Sequence, residues 1–181
     1  MHVSLEVLTF PGWGSSDSEH WQTQWEQHYG YRRIVPGSWD EPDRADWLHT
    51  LECAVAAAGP NVVLAAHSLA CLAVAHWAGA TSLRVAGALL VAPPDADRPD
   101  FPAVLRGFGP MPRRRLPFPT MVVGSTTDEY ISLERARQLA QDWGSRFVNM
   151  GPHGHLNSAS GLGLWPEGHA LLQTLTNPAP S

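Results

Sequence analysis

Short runs of aliphatic and β-branched residues alternate along the chain with longer stretches whose apolar positions recur every three or four residues. The short runs predict strands over 3–10, 32–35, 61–66, 85–91, 120–124 and 146–150. Helical spacing is clear at Trp21, Trp25 and His28, and again after Pro42, where Asp43 precedes a stripe of Trp47, Leu48, Leu51 and Val55. Further helices are predicted over 68–78, 133–143 and about 166–176. Strand and helix in strict alternation imply right-handed crossovers and one parallel sheet with helices on both faces, a three-layer αβα sandwich. The third and fourth strands, VVLAA and VAGALLVA, are apolar throughout, as strands buried on both faces should be. We therefore expect a single α/β domain over 1–176 and a frayed tail over 177–181.

One stretch breaks this rhythm. Residues 93–119 hold eight of the sixteen prolines and five of the twelve arginines. Proline supplies no N–H and fixes φ, so this stretch is neither a regular helix nor an inner strand. A loop of that length inside a domain is usually a lid or a binding loop.

Composition narrows the chemistry. All twelve basic residues among the 181 are Arg, so the chain has no Lys. That excludes a lysine Schiff base, a phosphate-loop lysine and a kinase-type lysine. A formal charge of -5 argues against a general nucleic-acid surface. No apolar run approaches the roughly 20 residues of a membrane span, and the start MHVSLEVLTF lacks the pattern of an export signal, so a cytoplasmic protein is expected. Cys53 and Cys71, each within a predicted apolar helix, read as buried thiols.

In a parallel α/β sheet, function collects where the strands end. At the end of the third strand, Ala66-His67-Ser68-Leu69-Ala70 has the layout of a nucleophile elbow with alanines in place of both glycines. The turn is tight, so residues two before and two after the serine must be small. It also sets Ser68 at a helix N-terminus, where free N–H groups stabilise negative charge. The plainer reading of Ser68 is a helix N-cap. At the end of the fifth strand stands Asp128, an acid placed to orient a histidine or simply a turn residue, with Glu129 its neighbouring rival and Asp95 and Asp97 weaker ones. After the sixth strand comes Gly151-Pro-His153-Gly154-His155, in which either histidine fits a general base. His-x-His with His169 also suggests metal ligands, but no recognisable zinc spacing completes the set, and no metal is expected. His67 and His76 read as turn and helix residues. The order Ser68, Asp128, His155, each after a different strand, is that of the α/β-hydrolase triad.

The first strand ends in Phe10-Pro-Gly12-Trp13-Gly14, a loop able to supply one oxyanion N–H, from Trp13 or alternatively Gly12, while Leu69 supplies the other. The same glycines could begin a dinucleotide fingerprint, but Asp17 occupies the third glycine's position. Trp13, Trp21 and Trp165 suggest a modest apolar pocket, and Arg113, Arg114 and Arg115 are expected on solvent.

Five segments, PGWGSSDSEHW, AHSLAC, PDADRPDFP with RGFGPMPRRRLPFP, STTDEYISLERA, and GHLNSASGLG followed by WPEG, resemble the small serine hydrolases related to retinoblastoma-binding protein 9 and bacterial YdeN. They span nearly the whole chain, and the lid and Gly-His-Leu-Asn segments are more specific than the elbow. The resemblance implies Ser68 as nucleophile, Asp128 as acid and His155 rather than His153 as base. It also implies a compact α/β-hydrolase fold with strand order 2-1-3-4-5-6. The alanines at 66 and 70 depart from the usual elbow. Retinoblastoma-protein binding is not carried over, since no motif for it is visible. The expected protein is a cofactor-independent, esterase-like serine hydrolase of a small ester, thioester or amide, a monomer or weak homodimer whose partner is an acyl substrate and neither nucleic acid nor membrane. A non-catalytic binding protein on the same scaffold is the alternative, with a nucleotide-binding domain third.

Overall fold

The computed structural model describes residues 5–176. Six parallel strands, β1 (Glu6–Phe10), β2 (Arg32–Arg33), β3 (Val62–His67), β4 (Gly87–Val91), β5 (Thr120–Gly124) and β6 (Arg146–Asn149), form one sheet in the order β2-β1-β3-β4-β5-β6. Both the αβα layering and the order match the expectation. Helices α1 (Trp21–Tyr29) and α5 (Pro166–Thr176) cover one face, and α2 (Arg44–Ala58), α3 (Leu69–Ala78) and α4 (Leu133–Trp143) cover the other.

The alternation of side chains along a strand explains the two cores. On one face Leu64 and Ala66 of β3 and Leu90 of β4 pack with Trp47, Leu51 and Trp143. On the other, Val63, Ala65, Leu89 and Val91 pack with Trp21, Trp25 and Leu172. Burial of this much apolar surface on both sides is the main force holding the sheet, at about 25 cal/mol per Å². The indoles also make specific ties. Trp21 Nε1–H donates to the Leu156 carbonyl at 2.9 Å and Trp25 Nε1–H to that of Leu164 at 2.7 Å, so α1 is fastened to the loops after β6.

Several sequence expectations are adjusted. β2 is two residues long rather than four, because after Ile34 N–H bonds Thr9 O the chain turns away at Val35-Pro36. The predicted first strand began at residue 3, which lies outside the described residues, as does the predicted tail 177–181. Cys71 is buried as expected, but Cys53 is exposed. The apolar stripe of α2 runs through Trp47, Leu51 and Val55, and position 53 projects from the opposite side.

Residues 93–119 contain one 3₁₀ segment, Ala103–Phe108, and are otherwise irregular. They are pinned along their length. His76 Nε2–H donates to Phe108 O at 2.7 Å and Trp143 Nε1–H to Pro112 O at 2.7 Å. Arg135 of α4 pairs with Asp97 at 2.9 Å and with Asp95 at 3.5 Å, and Arg98 reaches Glu129 O at 2.7 Å. Phe101, Leu105 and Phe108 are buried beneath the segment, while Arg113, Arg114 and Arg115 are exposed.

Candidate active site

All six strands point the same way, so the turns after β1, β3, β4, β5 and β6 gather along one edge. A cavity of about 480 Å³ opens there.

Ser68 follows β3 directly, with backbone φ 54° and ψ -124°, and its side chain makes no N-cap hydrogen bond. A non-glycine residue in this region is strained, as a nucleophile elbow requires. The simple N-cap reading is therefore excluded. Ala66 and Ala70 are fully buried, so the small side chains the turn needs are in place. Register brings the first loop alongside: Phe10 pairs with Ala66, which sets Gly12 opposite Ser68. A Cβ at Gly12 would lie 2.9 Å from Ser68 Cβ and 3.0 Å from His67 O, which explains glycine there. The Leu69 N–H begins α3, and the first N–H groups of a helix have no intrahelical acceptor.

His155 reaches over this edge from the loop after β6. Its Nε2 lies 2.7 Å from Ser68 Oγ, and its Nδ1 lies 2.9 and 3.0 Å from the two carboxylate oxygens of Asp128. The Asp128 side chain is shielded from solvent, and its Oδ1 also accepts the Tyr130 N–H at 2.9 Å, so it is both turn residue and histidine partner. The structure thus brings Ser68, Asp128 and His155 together and leaves the rivals apart. Glu129 is exposed and serves through its carbonyl, Asp95 and Asp97 are engaged by Arg135, and His153 lines a different depression beside Pro152 and Ser160. His169 bonds Tyr31 OH at 2.7 Å, and among the described residues no three His, Cys, Asp or Glu side chains are grouped to hold a metal ion.

Trp13 lines the cavity as a residue 45% exposed, its Nε1–H donating to Asp40 O at 3.0 Å. The expectation that Trp21 and Trp165 also line it fails: both are buried in the core, where Trp165, in the loop before α5, packs on Trp21 of α1 with ring centroids 5.2 Å apart. The cavity is walled instead by Phe101, Pro102 and Leu105 of the 93–119 segment, by Tyr130, and by two histidines, one expected as no more than a turn residue and one to which the sequence assigned no role.

These are His20 and His67. His67 Nε2–H donates to the backbone carbonyl of His155 at 2.9 Å, linking the elbow to the histidine loop. His20 packs on His67 with ring centroids 4.7 Å apart. Burial holds both neutral: it pushes His20 down to about 3, with Asp17 opposing and Arg33 and His155 adding repulsion, and pushes His67 well below the ordinary histidine value, with His20 and His155 adding to it.

This has a consequence for stability. Below pH 6.5 the unfolded chain binds protons at these positions and the folded chain does not, so stability is full above 6.5 and falls as pH drops toward 3. The limit for His20 is about 1.4 kcal/mol per pH unit. Urea unfolding at pH 7 and pH 5 should show the loss, and His20→Asn should flatten it; equal slopes in the two proteins contradict the burial argument.

Comparison with known proteins places the chain in a family. The family model described as Serine hydrolase matches residues 7–174. A crystal structure of a protein described as a YdeN-like hydrolase, from Pectobacterium atrosepticum, is 30% identical, with a TM-score of 0.84, covering 95% of this chain and 91% of that one. The ydeN gene product of B. subtilis is 20% identical with a TM-score of 0.77, covering 95% and 98%. A monoacylglycerol lipase from Paleococcus ferrophilus, 13% identical with a TM-score of 0.71 and covering 94% and 93%, shares the fold. No curated protein matches the sequence significantly. With the family match spanning the sheet from β1 to α5, the chain belongs to the serine hydrolase family and is YdeN-like within it.

Proposed function

We propose that this hydrolase cleaves a small ester, thioester or amide through an acyl-enzyme formed on Ser68, with esters the favoured class. The observation that carries the reading is the unbroken line from Ser68 Oγ through His155 to Asp128, at 2.7 Å and then 2.9 Å.

Ser68 Oγ attacks the substrate carbonyl carbon as its proton passes to His155 Nε2. Asp128 holds the imidazole with its proton on Nδ1 and stabilises the imidazolium that forms. The oxyanion is met by the N–H groups of Leu69 and Trp13, with Gly12 the alternative to Trp13. Collapse breaks the bond to the alcohol, thiol or amine, which leaves with the proton from His155. Water then repeats the sequence on the acyl-enzyme, releasing the acid and restoring Ser68. Every proton in this cycle starts and ends on the chain, the substrate or water.

The close approach of the first loop to the elbow makes a separate prediction. Gly12→Ala places a methyl within 2.9 Å of Ser68 Cβ, so either the loop or the elbow must shift. Misplacing one oxyanion donor costs on the order of 10²-fold in kcat. Ester hydrolysis and melting temperature measured together check it: a variant with wild-type kcat removes this loop from the oxyanion site. The reading as a whole is tested by intact-mass detection of a fluorophosphonate adduct alongside turnover of short acyl esters. Wild-type protein that shows neither is a binding protein, and the proposal fails.

A further inference from the structure

The oxyanion site described above draws on two strands. One N–H belongs to the loop after β1 and the other, on Leu69, follows β3, so the site works only while the first loop keeps its distance from the elbow. Strand pairing secures this only in part. The ladder between β1 and β3 ends at the pair Phe10 and Ala66, and Pro11 has no N–H with which to extend it. Beyond that point the loop makes a turn of its own, with Gly14 N–H bonded to Trp39 O and Ser15 N–H to Gly12 O, both at 3.0 Å.

Gln22, in the first turn of α1, spans the gap. Its side-chain amide is buried and meets three groups: Nε2 donates to Phe10 O at 3.0 Å and to Ala65 O at 2.9 Å, and Oε1 accepts the Ser16 Oγ–H at 2.7 Å. The partners fix which end is which, since the reverse orientation would set the amide oxygen against two carbonyl oxygens. Burying an amide costs free energy unless its polar atoms are met, and here both NH₂ hydrogens are used. Phe10 leads into the first loop, Ser16 closes it, and Ala65 lies three residues before Ser68. One side chain therefore grips both ends of the loop and the strand that carries the nucleophile. Arg33 also holds the loop, through Ser15 Oγ at 3.2 Å and Ser16 O at 3.1 Å, but its other hydrogen bonds go to Thr23 and Glu26 of α1, and among the described residues none reaches β3.

We propose that Gln22 is a positioning residue for the hydrolytic reaction, which sets the first loop's oxyanion N–H against that of Leu69 by tying Phe10, Ser16 and Ala65 to one amide. The inference rests on Ser68 as the nucleophile. Gln22 itself is fully enclosed and is not part of the cavity wall, so it acts only through the backbone that it holds. Its loss frees the loop to drift from the place where the oxyanion forms. The Trp13 ring keeps its own tie to Asp40 O, so the wall that meets the ground-state substrate is retained. An interaction that matters only in the transition state lowers kcat and leaves KM nearly unchanged.

The test uses Gln22→Met, which keeps the length of the side chain but donates no hydrogen bond, and Ser16→Ala, a milder change that cuts only the tie at the loop's far end. Phenyl butanoate hydrolysis gives kcat and KM, and thermal melting reports the fold. Butyl trifluoromethyl ketone supplies the further readout. Ser68 Oγ adds to its carbonyl carbon as the Oγ proton passes to His155, and the carbonyl oxygen becomes an oxyanion facing the same N–H groups, so its inhibition constant reports the site without turnover. Gln22→Met is expected to lose tenfold or more in kcat with KM within about twofold of wild type, and its inhibition constant should rise in proportion. Ser16→Ala should lose less, in the same pattern. A folded Gln22→Met with wild-type kcat, with a loss confined to KM, or with a kcat loss that the inhibition constant does not follow overturns the role. Should that variant not fold, the same three outcomes in Ser16→Ala overturn it. Fluorophosphonate labelling of wild type separates the two readings: if wild type labels at Ser68 and the variants behave like it, this inference alone fails, and if wild type neither labels nor hydrolyses the ester, the nucleophile assignment fails with it.

Discussion

Ser68→Ala is expected to abolish fluorophosphonate labelling and to lower kcat for short acyl esters by at least about 10⁴-fold, while the fold survives. The first part follows from chemistry: without Oγ there is no acyl-enzyme, and neighbouring hydroxyls do not stand in for it, since among the described residues Ser68 is the hydroxyl that lies within hydrogen-bond distance of His155 Nε2, at 2.7 Å. Residual hydrolysis of about 10³- to 10⁴-fold over water can remain from binding and the oxyanion site acting on a bound water. The second part follows from the elbow's backbone. Its strain at φ 54° belongs to position 68 whichever of serine or alanine occupies it, and the Ser68 N–H still bonds Val91 O at 2.9 Å. No side-chain cap is lost, because Ser68 makes none. Melting temperature should therefore stay within a few degrees of wild type, and an intact-mass assay should show the adduct on wild type alone. Equal labelling of the two proteins moves the nucleophile elsewhere.

The fold was readable because its determinants are local and repeated. The uniformly apolar third and fourth strands demand burial on both faces, and the stripe Trp47, Leu51, Val55 demands one face of α2. Even the Cys53 misreading is a matter of phase, since residue 53 lies two positions from Leu51 and off the stripe. Ser68, Asp128 and His155 were singled out because each follows a strand, and in a parallel sheet chain order alone brings such turns to one edge. What sequence could not show depends on contacts between distant loops. His20 and His67 look like any other histidines in the chain, and their burial arises only when the first loop crosses the elbow and the last loop closes over both. A weak signal did exist, in that His67 adjoins the proposed nucleophile and His20 adjoins a core tryptophan. The same lack of local pattern led Trp21 and Trp165 to be assigned to the pocket, when their indoles belong to the core.

Asp128→Asn is expected to lower kcat by roughly 10³- to 10⁴-fold with little effect on KM or on melting temperature. The carboxylate now meets two donors at once, the His155 Nδ1–H across both oxygens and the Tyr130 N–H at Oδ1. An amide has one oxygen to offer them. If that oxygen keeps the Oδ1 position it still meets both the Tyr130 N–H and Nδ1 at 2.9 Å, but the NH₂ group then sits 3.0 Å from Nδ1, a donor facing a donor, which favours the ring proton on Nε2 and leaves Ser68 without a base. If it takes the Oδ2 position instead, the Tyr130 N–H is orphaned against the NH₂ group. Either way the negative charge that stabilises the imidazolium is gone, and with the side chain shielded from solvent no water replaces it. Raising the pH gives a way to separate tautomer from structure: at high pH hydroxide can activate Ser68 directly, so the deficit should narrow, whereas damage to the fold would persist. A kcat unchanged by the substitution assigns the orienting role to another residue, with Glu129 the neighbour to examine.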